Sequence, residues 1–151
     1  MAFRLERDLY GPVAAWLADA GFVVSGEIRV AGRRADLVGW REDGVAAVET
    51  KLADWRGALR QAIAYQVAAD WSWVAMPLPG AARAHRDRWR FDAEGVGLLA
   101  VDASGHVRTV LPAADSRRLL PFARDGVRPV ETLVSRKGLP LSTRETSLEP
   151  F

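Results

Sequence analysis

The stretch RRADLVGWREDGVAAVETKL, residues 33–52, decides the fold. ADLVGW, residues 35–40, reads as a strand, and so does VAAVETKL, residues 45–52, with REDG supplying the turn between them. Each strand carries one acid in apolar surroundings: Asp36 between Ala35 and Leu37, and Glu49 after Val48. Period-two alternation puts Glu49 and Lys51 on one face, with Val48 and Thr50 opposite. Pairing the strands about REDG then brings Asp36 and Glu49 together near one sheet end.

On the N-terminal side, FVVSGEIRV (residues 22–30) is β-rich and leads into a turn at Ala31-Gly32, which makes a three-stranded meander. Before it, Leu5, Leu9, Val13 and Trp16 recur at helical spacing, with Leu17 and Ala20 widening the stripe. Gly11-Pro12 interrupts that stripe, so a kinked helix or a turn followed by a helix from Pro12 is expected, ending at Gly21. On the C-terminal side, Asp54 is the N-cap of a helix over Trp55–Ala69, with Leu59, Ala62, Ile63, Val67 and Ala69 as its apolar face. WSWVAMPL (71–78) reads as a buried strand, residues 80–90 as a helix, and 96–101 and 107–111 as short strands. Prolines crowd the last forty residues and leave one short helix over 129–137. The order is α-β-β-β-α-β in an α/β fold, with residues 1–111 as core. Residues 112–151 form a small C-terminal extension that completes the domain or mediates an interface.

A chain of 151 residues fits one ordinary domain. With no cysteine, a disulfide scaffold, a thiol nucleophile and thiolate zinc sites are excluded. Only His85 and His106 carry imidazole, which excludes an all-histidine metal site within one chain. MAFRLERDLY does not read as a signal peptide and no run reaches eighteen apolar residues, so the expectation is a cytoplasmic protein without a membrane partner. A net charge of +2 is too small to argue nucleic-acid binding by itself. Locally, AARAHRDRWR sets Arg83, Arg86, Arg88 and Arg90 against Asp87, a cluster able to neutralise phosphates or simply to solvate a surface. Of the 21 basic residues only Lys51 and Lys137 are lysines.

Two nearby carboxylates repel unless a proton or cation intervenes. Mg²⁺ takes hard oxygen ligands and keeps several waters, so two carboxylates and a substrate phosphate suffice. A lysine beside them can position water and offset charge growing on phosphoryl oxygens. Gln61 and Tyr65, four residues apart on one helix face, can orient Lys51, a water or a phosphate. Arg56 and Arg60 lie on the same helix and can contact phosphates further out. The bland alternative pairs Asp36 and Glu49 with Arg34 or Lys51 as structural ion pairs.

These residues resemble the PD-(D/E)XK nuclease superfamily, which has a restriction endonuclease-like fold. Its pattern, an acid ending one strand and (D/E)-X-K on the next, is matched by Asp36 and by Glu49-Thr50-Lys51. Gln61-Ala62-Ile63-Ala64-Tyr65 matches the Q-X-X-X-Y motif of one branch. Ala35 replaces the proline usual before the first acid. The resemblance covers roughly residues 5–78 and implies a mixed central sheet and a Mg²⁺-dependent (or Mn²⁺-dependent) deoxyribonuclease of repair, recombination or restriction. Asp36, Glu49, the Thr50 carbonyl and Glu6 on the first helix would be metal ligands, and Lys51, Gln61 and Tyr65 would assist catalysis. Arg34, Arg56, Arg60, Arg83, Arg86, Arg88 and Arg90 would hold DNA; RNA is not excluded, and a homodimer could address two strands. The competing expectations are a nuclease-fold nucleic-acid binder without hydrolysis, and an interaction protein whose acids are ion-pair partners.

Overall fold

A computed structural model of the chain describes residues 3–127; the helix expected over 129–137 lies outside them. A 3-10 turn over Glu6–Leu9 runs directly into α1 (Tyr10–Asp19). Then come β1 (Val23–Val30), β2 (Arg33–Arg41), β3 (Gly44–Thr50), α2 (Trp55–Tyr65) and β4 (Trp71–Pro77). The elements after them are α3 (Leu78–His85), α4 (Arg88–Glu94), β5 (Gly97–Val101), β6 (Val107–Leu111) and α5 (Pro121–Asp125). All six strands form one mixed sheet in chain order. β1, β2 and β3 pair antiparallel as a meander, β3, β4 and β5 pair parallel across the helical crossovers, and β6 returns antiparallel. The α/β architecture and the α-β-β-β-α-β order are as expected.

Burial explains the layers. The 3-10 turn and α1 together bury Leu9, Val13 and Leu17, spaced by four, against Leu37, Ala46, Val48, Ala75 and Leu99. Each aliphatic side chain removed from water contributes about 1.5–3 kcal/mol. Opposite, α2 with α3 and α4 covers Val74, Met76, Leu98 and Ala100. Every residue of β3 is buried, as befits a central strand covered on both faces. Val45 and Ala47 pack towards Tyr65, while Ala46 and Val48 pack towards α1.

Several boundaries differ from expectation. Pro12 neither starts nor breaks the first helix: it sits in the first turn of α1, where its missing amide has no partner to lose. Asp54 does cap α2, accepting from the Gly57 amide at 2.9 Å, but α2 ends at Tyr65 because the chain must turn into β4. The single helix expected over 80–90 is two, separated at Arg86-Asp87, and Gly95 at φ 74° ends the second. Residues 112–127 lie on the core. Ser116 and Leu120 amides donate to Asp70 and Val67 carbonyls, and the Trp40 indole donates to the Val127 carbonyl. Val127 itself is buried.

Candidate metal centre

The β2–β3 ladder reaches only Leu37 opposite Val48. Beyond it the strands part, and the Thr50 amide finds a side chain instead of a carbonyl: Asp36 Oδ2 accepts it at 2.8 Å. The same oxygen accepts the Thr50 hydroxyl at 2.8 Å, and Oδ1 accepts the Tyr10 hydroxyl at 2.9 Å. Asp36 is therefore tied to α1 and to the end of β3 by three neutral donors.

Glu49 approaches the same strand end from the other side. It shares the face of Val45 and Ala47, is 5% exposed, and accepts the hydroxyl of the fully buried Tyr65. That hydroxyl also lies 3.2 Å from the Arg34 carbonyl, which places α2 against β2. Burial pushes the Glu49 carboxyl up to about 7; the charges of Asp36 and Glu6 add to the rise, while Tyr65 and Lys51 oppose it. Tyr65 and Tyr10 are both held well above the usual phenol range, first by burial and then by the carboxylates they face, so both remain neutral donors.

Lys51 lies one residue past the end of β3, where alternation no longer sets its direction. Its Nζ is 4.0 Å from Glu6 Oε1, with Lys51 half-buried. This meeting brings Glu6 into the neighbourhood of the site but assigns it to the lysine. Among the described residues no three His, Asp or Glu side chains are gathered as a ready ligand set. The structural ion-pair alternative also fails for the two central acids. Arg34 pairs with Glu27 at 3.4 Å, Lys51 with Glu6, and among the described residues neither Asp36 nor Glu49 is in a salt bridge.

Gln61 is half-buried one turn before Tyr65 and makes no hydrogen bond within the described residues. The arginines divide. Arg56 and Arg60 of α2 and Arg90 of α4 are exposed and line one groove of about 300 Å³; Arg83, Arg86 and Arg88 are exposed but do not line it. Arg83 lies on α3 and Arg86 at the break between the helices, while Arg88 shares α4 with Arg90 but is not among the groove's lining residues. Tyr10 and the Thr50 hydroxyl are site groups that the sequence reading passed over. One signal for Tyr10 was present: the chain has two tyrosines, and each donates to one of the two carboxylates.

No protein-family model matches the chain, and no curated protein matches it. Among solved structures, that of Pyrococcus furiosus SfsA in complex with Ca²⁺ is similar over 72% of this chain, with 15% identity and a TM-score of 0.40. The match spans 61% of that protein's length. Among the described residues no helix is long and apolar enough to cross a membrane.

Proposed function

We propose that this protein is a metal-dependent nuclease that hydrolyses DNA phosphodiester bonds at the end of β3. One observation carries the proposal: Asp36 and Glu49 meet there with neutral hydrogen-bond donors and without a cationic partner of their own. Carboxylates so placed leave negative charge for a cation to balance. The donor set fits a hard divalent ion such as Mg²⁺ or Mn²⁺. All candidate ligands are oxygens, and of the Glu49 oxygens only Oε1 accepts a hydrogen bond among the described residues.

When bound, such an ion polarises a phosphoryl oxygen and acidifies the attacking water. Asp36 and Glu49, with the Thr50 carbonyl, would hold it. Tyr10 and Thr50 keep Asp36 from rotating, and Tyr65 keeps Glu49 aimed at the strand end. Lys51 orients water and offsets charge building on the phosphoryl oxygens, and Gln61 lies on the helix beside it. Arg56, Arg60 and Arg90 hold the strand further out.

The test is incubation of purified protein with single-stranded, duplex, flap and four-way-junction DNA, in Mg²⁺, Mn²⁺ or chelator. Cleavage is expected only with metal, and is lost in Lys51→Ala and Asp36→Asn. DNA binding without cleavage in either metal overturns hydrolysis and supports a second reading, an accessory binder with the nuclease fold. That reading draws on the lack, among the described residues, of a ready cluster of three acids or histidines.

A further inference from the structure

The groove between α2 and α4 combines two features that the hydrolytic site does not need. Arg56 and Arg60, one turn apart on α2, face Arg90 on α4 across it, and among the described residues the only acid in its lining is Glu94. Glu94 is already matched, its carboxylate accepting the Arg118 guanidinium at 2.6 Å. The groove is therefore a cationic one. It is also aromatic: Trp89 is 62% exposed, an unusual state for an indole, and the Arg90 guanidinium lies 4.8 Å from its ring centroid. Below, the Arg56 guanidinium lies 4.4 Å from the buried Trp55 ring. Exposed aromatic surface beside guanidinium groups matches a ligand that alternates flat rings with phosphates.

Resting on the nuclease reading, we infer that this groove binds an unpaired strand of single-stranded DNA, with a base stacked on Trp89 and the flanking phosphates on Arg56, Arg60 and Arg90. Its volume of about 300 Å³ is on the scale of a base or two. In a duplex the base faces are stacked on one another and closed to Trp89. An acidic peptide would satisfy the arginines but bring no flat ring to the exposed surface of the indole. α2 connects the two regions: Gln61 and Tyr65 belong to the carboxylate site, and Arg60 next to Gln61 belongs to the groove. A strand held there would run beside the helix that supports Glu49.

The test measures binding of the full chain to labelled oligothymidine and to a blunt duplex of equal length, by fluorescence anisotropy in chelator. Cleavage and the metal site then play no part. Trp89→Ala is expected to weaken single-strand binding about 5- to 100-fold and duplex binding less than about 2-fold, with Trp89→Phe largely restoring it. Arg56→Ala, Arg60→Ala and Arg90→Ala should each lower the salt dependence by roughly one released counterion. Equal loss on both substrates, no loss on either, or tighter binding of the duplex overturns the inference; tighter binding of oligouridine than of oligothymidine overturns its assignment to DNA. Competition by polyglutamate as strong as by oligothymidine reduces the groove to a general anion site and also overturns it. Metal-dependent cleavage, scored separately, shows whether the nuclease reading fails on its own.

Discussion

The β2–β3 hairpin has two ends, and their acids are treated in opposite ways. At the turn end, Asp43 holds Arg41 through two contacts of 2.6 and 2.9 Å, and Asp70 accepts both the Val45 amide at 2.8 Å and Arg124 at 3.1 Å. Arg41 further stacks over Phe22 and donates to the Ala20 carbonyl. At the open end, Asp36 and Glu49 are met by two phenols, a hydroxyl and an amide, and the Lys51 ammonium contacts Glu6 instead. Arginine-matched acids hold the turn closed. Acids met by neutral donors are aimed without a cationic partner of their own, which suits a place where a cation could bind.

Loss of activity breaks the comparison most sharply. Asp36→Asn, Glu49→Gln and Lys51→Ala are each expected to lower metal-dependent cleavage about 10²–10³-fold or more, measured as single-turnover rate, whereas Asp43→Asn leaves it unchanged. Equal effects at the two ends would remove the distinction between them. The supporting donors come next. Tyr10→Phe, Thr50→Val and Tyr65→Phe should weaken Mn²⁺ binding about 10- to 100-fold by titration calorimetry, without unfolding the chain.

The pH response of the melting temperature sharpens the contrast further. Glu49 has a folded value of about 7 above an unfolded value of 4.5, so its contribution to stability is full below 4.5 and is lost as pH rises through 7. Metal binding needs the ionised form, so added Mn²⁺ should raise the melting temperature little at pH 6 and much more at pH 8. Glu49→Gln is expected to abolish both trends and to make the metal-free protein more stable at pH 8. Asp43 has the opposite sign: Arg41 holds its carboxyl below the usual range, so its contribution exists above the unfolded value and fades in acid. The smallest effects are purely structural. Asp70→Ala should cost about 1–3 kcal/mol by leaving the Val45 amide and Arg124 unmatched, and Asp54→Ala about 1 kcal/mol by uncapping α2. In denaturant titrations both should shift the midpoint, while the cleavage rate of the folded fraction stays constant.

Much was legible in the residues themselves. Apolar alternation, the REDG turn and the Asp54 cap are local signals, because strand period, turn chemistry and capping act over a few residues. They located the six strands, the order of the elements and the pair Asp36 and Glu49 at one sheet end. What only the tertiary structure decided is who meets those acids. Tyr10 is 26 residues from Asp36 and Tyr65 is 16 from Glu49, separations over which no local period carries information. Where β2 and β3 stop pairing, an amide is left to a carboxylate. The arginines were visible as a cluster along the chain, yet packing kept only Arg90 of the 83–90 group beside Arg56 and Arg60. Residue type states which chemistry is available; the packing of helices on the sheet determines which of those groups share a site.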